Sequence, residues 1–264
     1  LGGQSWDIDL GAARAAAIPV CYMPVANCQL VAEHMILQML AASKHLRELL
    51  QITSDAQDWG PSQRCTEDYY AYNWSGRKNV GGLRQSTVGI LGFGEIGAEL
   101  ARRLRAFDCD VLYAKRSRLP AHAESSLGIT YAPASELLAR SDFVCSLLPL
   151  YPETERSVNS AFFAAMKPGA FFAHCGAGAV VDEGALLDAL RSGGLGGAAL
   201  DTYTYEQLRS DDPLLATARD PRSNLILTPH VGAGSPPEGV VPRSGDYANI
   251  VALLNGGPLR YRLI

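Results

Sequence analysis

The sequence has few of the features that mark nucleic-acid-binding, membrane-spanning or metal-dependent chains. No long basic run occurs in its 264 residues and the formal net charge is −4, so the electrostatic footprint for non-specific nucleic-acid binding is missing. No apolar stretch reaches the roughly 18 residues that a membrane-spanning helix needs. The six cysteines, Cys21, Cys28, Cys65, Cys109, Cys145 and Cys175, form no CxxC and no metal-ligand spacing. Several sit in apolar strand-like runs, where cysteine acts as a small hydrophobe. No metal is expected, and a reducing, cytoplasmic setting is the simplest reading. Leu1-Gly2-Gly3-Gln4 does not read as a secretory leader. Asn73-Trp74-Ser75 matches a glycosylation acceptor, which is discounted for that reason. Internal repeats and low-complexity tracts are absent.

What is present is a globular composition, 47% hydrophobic and 19% charged, which calls for a packed core. Apolar strand-like runs cover Ile18–Tyr22, Val88–Phe93, Cys109–Ala114, Phe143–Leu148, Ala170–Cys175, Gly197–Thr202 and Leu225–Leu227. Helical patterns fall between them at Ala98–Phe107, Ala134–Arg140, Asn159–Met166 and Asp182–Arg191. That alternation predicts an α/β protein with a doubly wound parallel sheet covered on both faces. Lys167-Pro168-Gly169 and Ser192-Gly193-Gly194 read as helix stops. Val31–Leu50 predicts a long helix whose first half is apolar nearly all round. Such a helix is buried in the core or against another subunit. Asp58–Gln85 has little periodicity and holds Trp59, Tyr69, Tyr70, Tyr72 and Trp74; a connection of that length has a function or moves.

The most telling motif is Gly92-Phe93-Gly94-Glu95-Ile96-Gly97. It ends an apolar run and opens a helical stretch, the context of a dinucleotide-binding turn. Gly92 suits the tight turn, Gly94 lets backbone approach a pyrophosphate, and Gly97 lets the helix pack close to its strand. The helix N-terminus, starting at Glu95 and Ile96, offers N–H groups and a positive dipole end to the phosphates. About 20 residues past the glycines, NAD-binding folds place an acid for the ribose hydroxyls. Here Lys115 stands at that position, followed by Arg116, Ser117 and Arg118. A cation there attracts a 2′-phosphate that a carboxylate would repel, which favours NADP(H) and leaves NAD(H) open.

Together with Leu227-Thr228-Pro229-His230, the fingerprint resembles the D-2-hydroxyacid dehydrogenase family over nearly the whole chain. Val31-Ala32-Glu33-His34 is similar to the start of that family's interdomain helix. Leu148-Pro149-Leu150 with Pro152-Glu153-Thr154 is similar to its "LPLTPET" segment, Tyr151 standing where threonine is usual. Met166–Ala170, Val180–Glu183 with Ala185-Leu186, and Gly197–Asp201 match further segments. The resemblance implies a Rossmann-type dinucleotide-binding domain over residues 20–234. A smaller, truncated flavodoxin-like substrate domain would be built from 1–19 and 235–264. Leu1–Asp9 resembles the family's carboxylate-holding loop, with Gln4 and Trp6 replacing a glycine and an aspartate.

By the same resemblance His230 and Glu206, 24 residues apart, take the catalytic histidine and glutamate positions. Ala177 takes the position of the catalytic arginine and His174 that of an asparagine. Asp201 corresponds to the residue contacting the nicotinamide carboxamide, and Cys175, Ala177 and Pro149 lie along the cofactor. The implied activity is hydride transfer between nicotinamide and a small 2-hydroxy or 2-oxo acid by a cytoplasmic homodimer. Alanine cannot clamp a carboxylate as arginine does, so the activity is expected to be impaired. His174 is one stand-in for the lost cation, a satisfied strand-end histidine the other reading. Two other functions stay open: a nucleotide-binding protein like the co-repressors of this fold, and a pseudo-dehydrogenase with lost or redox-neutral activity.

Overall fold

The computed structural model describes residues 8–22, 27–55, 60–235 and 247–264. Helix α1 (Leu10–Ala15) starts behind Asp9, whose carboxylate accepts the Ala12 N–H at 2.9 Å. Helices α2 (Cys28–Ser43) and α3 (Leu46–Ser54) follow. Strands and helices then alternate: β1 (Thr87–Leu91), α4 (Glu95–Leu104), β2 (Asp110–Ala114), α5 (Ala121–Leu127), β3 (Ile129–Tyr131), α6 (Ala134–Arg140), β4 (Phe143–Ser146), α7 (Ser160–Ala165), β5 (Ala170–His174), α8 (Glu183–Arg191), β6 (Leu195–Leu200), α9 (Pro213–Ala218) and β7 (Leu225–Leu227). Helix α10 (Ala248–Leu254) lies beyond them.

Every strand pairing in the sheet is parallel, in the order β3-β2-β1-β4-β5-β6-β7. The chain winds outward from β1 to β3, returns to β4, and winds outward the other way. The order reverses between β1 and β4, and a doubly wound sheet binds ligands at the carboxyl ends of the strands beside such a reversal.

Both faces are buried, and the two-residue period of a strand divides its side chains between them. On one face Val88, Ile90, Val111, Tyr113, Phe143 and Cys145 join a core with Met35, Met39, Leu100 and Leu104 of α2 and α4. On the other, Leu112, Val144, Phe172 and Ala198 join Leu137, Leu186 and Leu214. Burial of each large apolar side chain, Ile90 for example, stabilises by roughly 1.5–3 kcal/mol. Asp182 caps α8 by accepting the Ala185 N–H, the local reason for a helix start there.

Two expectations are corrected. Ile18–Tyr22 is not a strand of the sheet. Pro19 lacks an N–H to give a ladder, and only a bridge forms, Cys21 opposite Arg262. The Tyr22 N–H donates to Tyr261 O and the Leu263 N–H to Val20 O, both at 2.8 Å, so the two segments flanking the sheet meet. The helix over 31–50 is two helices. His45 between them takes a left-handed φ of +50°, with its Nδ1 3.1 Å from Arg77 Nη2. The three-residue β3 escaped the sequence pattern because it is shorter than one period test needs. Residues 60–86 carry no helix or strand, and Tyr70, Tyr72 and Trp74 are exposed there. Gln4, Trp6 and Trp59 lie outside the described residues.

Candidate active site

The glycine-rich turn connects β1 to α4 at the reversal point. Gly92 has φ +80°, and a Cβ there would come within 2.6 Å of Leu147 O on the β4 side. A side chain is therefore excluded by both conformation and space. A Cβ on Gly97 would press on the Phe93 ring at 3.1 Å and Ile90 at 3.5 Å, so this glycine sets the approach of helix to strand. Gly94 differs from both: a Cβ there meets nothing within 4 Å. It occupies the N-cap of α4 without any side-chain cap, and the first helical residues are Glu95, Ile96 and Gly97. Open space at an uncapped helix N-terminus is a cradle suited to a diphosphate.

The loop after β2 faces the same edge. Lys115 is half-buried and its ammonium is lowered from the usual value by that burial. It has no hydrogen bond or ion pair to any described residue. Arg116 lies over the Tyr151 ring at 5.1 Å, a cation–π contact tying this loop to the segment after β4. Arg118 is committed elsewhere. It makes two 2.8 Å bonds to Glu124, which also accepts the Tyr113 hydroxyl at 2.7 Å. Arg118 first, then Tyr113, hold the Glu124 carboxyl down at about 2.

His230 and Glu206, far apart in sequence, meet in the fold: Nδ1 lies 2.7 Å from Oε2. Glu206 Oε1 accepts the Tyr203 N–H at 3.1 Å, so both carboxylate oxygens are engaged. The His230 side chain is 59% exposed and so is reachable by a ligand. A cavity of about 480 Å³ opens beside the pair, walled by Tyr203, Leu208, Leu215, Leu227 and Pro229. His230 has φ +54°, a sparsely populated conformation for a side chain with a Cβ.

Ala177 follows β5, with its N–H on Leu148 O at 2.9 Å. His174 does not supply the missing cation. It is fully buried, and burial lowers its pKa to about 4. Its Nε2 is 3.2 Å from Ala177 O, and its Nδ1 meets no hydrogen-bond partner among the described residues. Cys175 is raised far above the usual thiol range, by burial first and then by Asp201; its Sγ donates to Gln38 at 3.4 Å. Pro149 O accepts the Thr154 hydroxyl at 2.6 Å, which fixes the turn after β4. Asp201 is 2% exposed and its oxygens accept from Thr228 Oγ1 (2.6 Å), Val231 N (3.0 Å) and Gly232 N (2.7 Å).

Sequence reasoning passed over Tyr203, and it read Thr228 only as part of the Leu227–His230 motif, with no role of its own. Tyr203 donates its hydroxyl to Thr228 O at 2.8 Å and its N–H to Glu206. Their contact shows no periodicity or spacing signal; the proximity of β6 and β7 in the sheet brings them together. Among the described residues no group of His, Cys, Asp or Glu could hold a metal, and no helix is long and apolar enough to cross a membrane.

Comparison with known proteins supplies the family. The family model for the NAD binding domain of D-isomer specific 2-hydroxyacid dehydrogenases matches residues 36–232. The chain is 33% identical over 236 residues to a glyoxylate/hydroxypyruvate reductase B of Shigella boydii, covering 89% of this chain and 67% of that protein. It is 32% identical over 257 residues to the protein of that name from Cronobacter sakazakii, covering 97% and 73%. The crystal structure of a glyoxylate reductase from Paecilomyes thermophila superposes with a TM-score of 0.72 at 29% identity, covering 99% of this chain and 73% of that one. This chain belongs to the D-isomer specific 2-hydroxyacid dehydrogenases, NAD-binding oxidoreductases acting on CH–OH donors.

Proposed function

We propose that His230 exchanges the hydroxyl proton, and Glu206 holds its ring, in a reaction between a nicotinamide dinucleotide and a small 2-hydroxy or 2-oxo acid. The 2.7 Å contact between the two side chains carries this reading. When bound, the dinucleotide supplies or accepts the hydride. Gly94 leaves room for its diphosphate, while Gly92 and Gly97 set the turn and the approach of helix to strand beside it, and the amides of Glu95 and Ile96 would hold it. Pro149, Cys175 and Asp201 would border its nicotinamide. Lys115, Arg116 and Ser117 would hold the ribose end; the unengaged ammonium of Lys115 supports NADP(H) over NAD(H).

Glu206 fixes one ring nitrogen of His230 and leaves the other for the substrate. In the reducing direction His230 gives its proton to the carbonyl oxygen as hydride reaches C2; in the oxidising direction it takes the hydroxyl proton. Ala177 contributes no charge to the carboxylate or carbonyl. Loss of one aimed donor costs on the order of 3–4 kcal/mol, or about 10²–10³ in rate, so turnover is slow. Glyoxylate and hydroxypyruvate, named for the relatives, are the first substrates to try. Residues 20–234 act as the dinucleotide domain, with 1–19 and 235–264 contributing to the substrate wall. The exposed Tyr70, Tyr72 and Trp74 support a homodimer, and the reducing reading of the cysteines supports a cytoplasmic site. The test is oxidation of NADPH by either oxo acid, in this chain and in Ala177→Arg. A panel of oxo acids with no turnover in either would overturn the reading.

A further inference from the structure

Helix α2 holds the loop that presents His230, and it does so through a chain of buried polar contacts. His34 Nε2, on α2, lies 3.0 Å from Thr228 Oγ1 and 3.4 Å from Asp201 Oδ1. Thr228 Oγ1 lies 2.6 Å from that same Asp201 oxygen. Burial alone would raise the Asp201 carboxyl, but the hydrogen bonds it accepts outweigh burial and hold it at about 2. Ionised Asp201 can only accept, so Thr228 spends its one proton on it. The Thr228 oxygen is then left as an acceptor, and His34 Nε2 must be the donor. The order is His34 Nε2–H to Thr228 Oγ–H to Asp201.

The chain closes a ring around His230. Asp201 reaches past it to the N–H groups of Val231 and Gly232. A Cβ on Gly232 would sit 2.8 Å from Asp201 Oδ2, so only glycine permits that approach. At the other end of the segment, Asn27 just before α2 donates to Ala233 O at 3.0 Å. His230 occupies the apex of the held segment with its left-handed backbone. A histidine in that conformation keeps its place only if its surroundings over-determine it.

We infer that His34 is a positioning residue: through Thr228 and Asp201 it sets the backbone of 228–232 and so the aim of the His230 ring at Glu206 and the substrate. The inference rests on the reading of His230 as the proton-exchanging group. It also gives Asp201 a task independent of the cofactor.

The experiment compares His34→Leu, which keeps bulk and loses the donor, with His34→Gln, which keeps an N–H at the reach of Nε2. Three readouts are taken on each: kcat with an oxo acid, the Kd of NADPH, and the ¹³Cε1–Hε1 NMR resonance of His230. His34→Leu is expected to lower kcat about tenfold to a hundredfold, the scale of a misplaced catalytic group. It is expected to move the His230 resonance and leave the NADPH Kd within about twofold. His34→Gln is expected to restore both the rate and the resonance. An unmoved His230 resonance in His34→Leu overturns the inference, and so does a Gln variant as deficient as the Leu one. The resonance is read without turnover. An inactive parent chain whose His230 signal still moves in His34→Leu therefore counts against the proposed reaction and for the brace.

Discussion

His230 Nδ1 stands 2.7 Å from Glu206 Oε2, while the other oxygen of that carboxylate is held by the Tyr203 N–H. A carboxylate fixed at both oxygens cannot rotate away, so it orients the ring as well as balancing its charge. Glu206→Gln keeps the shape and removes the charge. Its kcat is expected to fall by about 10²-fold, the scale of a general acid–base contribution, with the Kd of NADPH unchanged. Steady-state kinetics beside calorimetry checks both.

Restoring the cation at 177 is expected to raise activity. Ala177→Arg places a planar, bidentate donor at position 177, and kcat/KM for an oxo acid should rise by about 10²–10³. Neutral aldehydes, which have no carboxylate to grip, should gain much less. Equal gains for both substrate types would mean that the guanidinium acts otherwise.

The glycines separate folding from binding. Gly94→Ala adds a methyl into open space, so the melting temperature should stay as it is while NADPH affinity falls at least about tenfold by obstruction of the diphosphate. Gly92→Ala strains a left-handed backbone and collides with Leu147; this variant should lose stability. Thermal melts and binding titrations on the pair distinguish the two outcomes.

Coenzyme choice is expected to follow Lys115 and not Arg118. Lys115→Glu should weaken NADPH by more than about tenfold and leave NADH little changed, because a carboxylate repels the 2′-phosphate and suits the ribose hydroxyls. Arg118→Ala frees Glu124 and removes its two bonds. It should shift the melting temperature more than the NADPH/NADH ratio. Kd values for both coenzymes decide.

His174 gives the fold a pH dependence of known sign. Burial lowers its pKa from 6.5 to about 4, so between those values the unfolded chain binds more protons than the folded one. Stability is therefore complete above 6.5 and is lost on acidification, by at most about 3 kcal/mol. Glu124 and Asp201, both depressed to about 2, contribute losses only from about 4.5 and 3.8 downward. A His174→Asn chain should show a flatter stability profile between 4.5 and 6.5 in denaturant titrations.

Much of this molecule is legible in the residues because its strands are short apolar runs between helices of clear period. The turn at Gly92–Gly97 reads directly, since Gly92 and Gly97 answer to local demands of φ and space and Gly94 opens the helix N-terminus. The separation of Glu206 and His230 by 24 residues says nothing of contact by itself; it needs β6 and β7 side by side, a fact of the sheet. The same holds for His34, which reads as one polar residue in an apolar helix until Thr228 and Asp201 come beneath it. Arg118 misleads for the opposite reason. Its charge is visible in the sequence, but its partner Glu124 follows on α5, a helix the pattern did not reveal.

The fate of one hydrogen tests the proposed reaction most directly. NADPH carrying deuterium at the transferable C4 position is incubated with glyoxylate and the chain, in parallel with His230→Ala, and the glycolate is weighed by mass spectrometry. One deuterium on C2 of the product from the unmodified chain, and little product from His230→Ala, is the expected result. Glycolate formed without the label, or equal labelled product from both proteins, would contradict it.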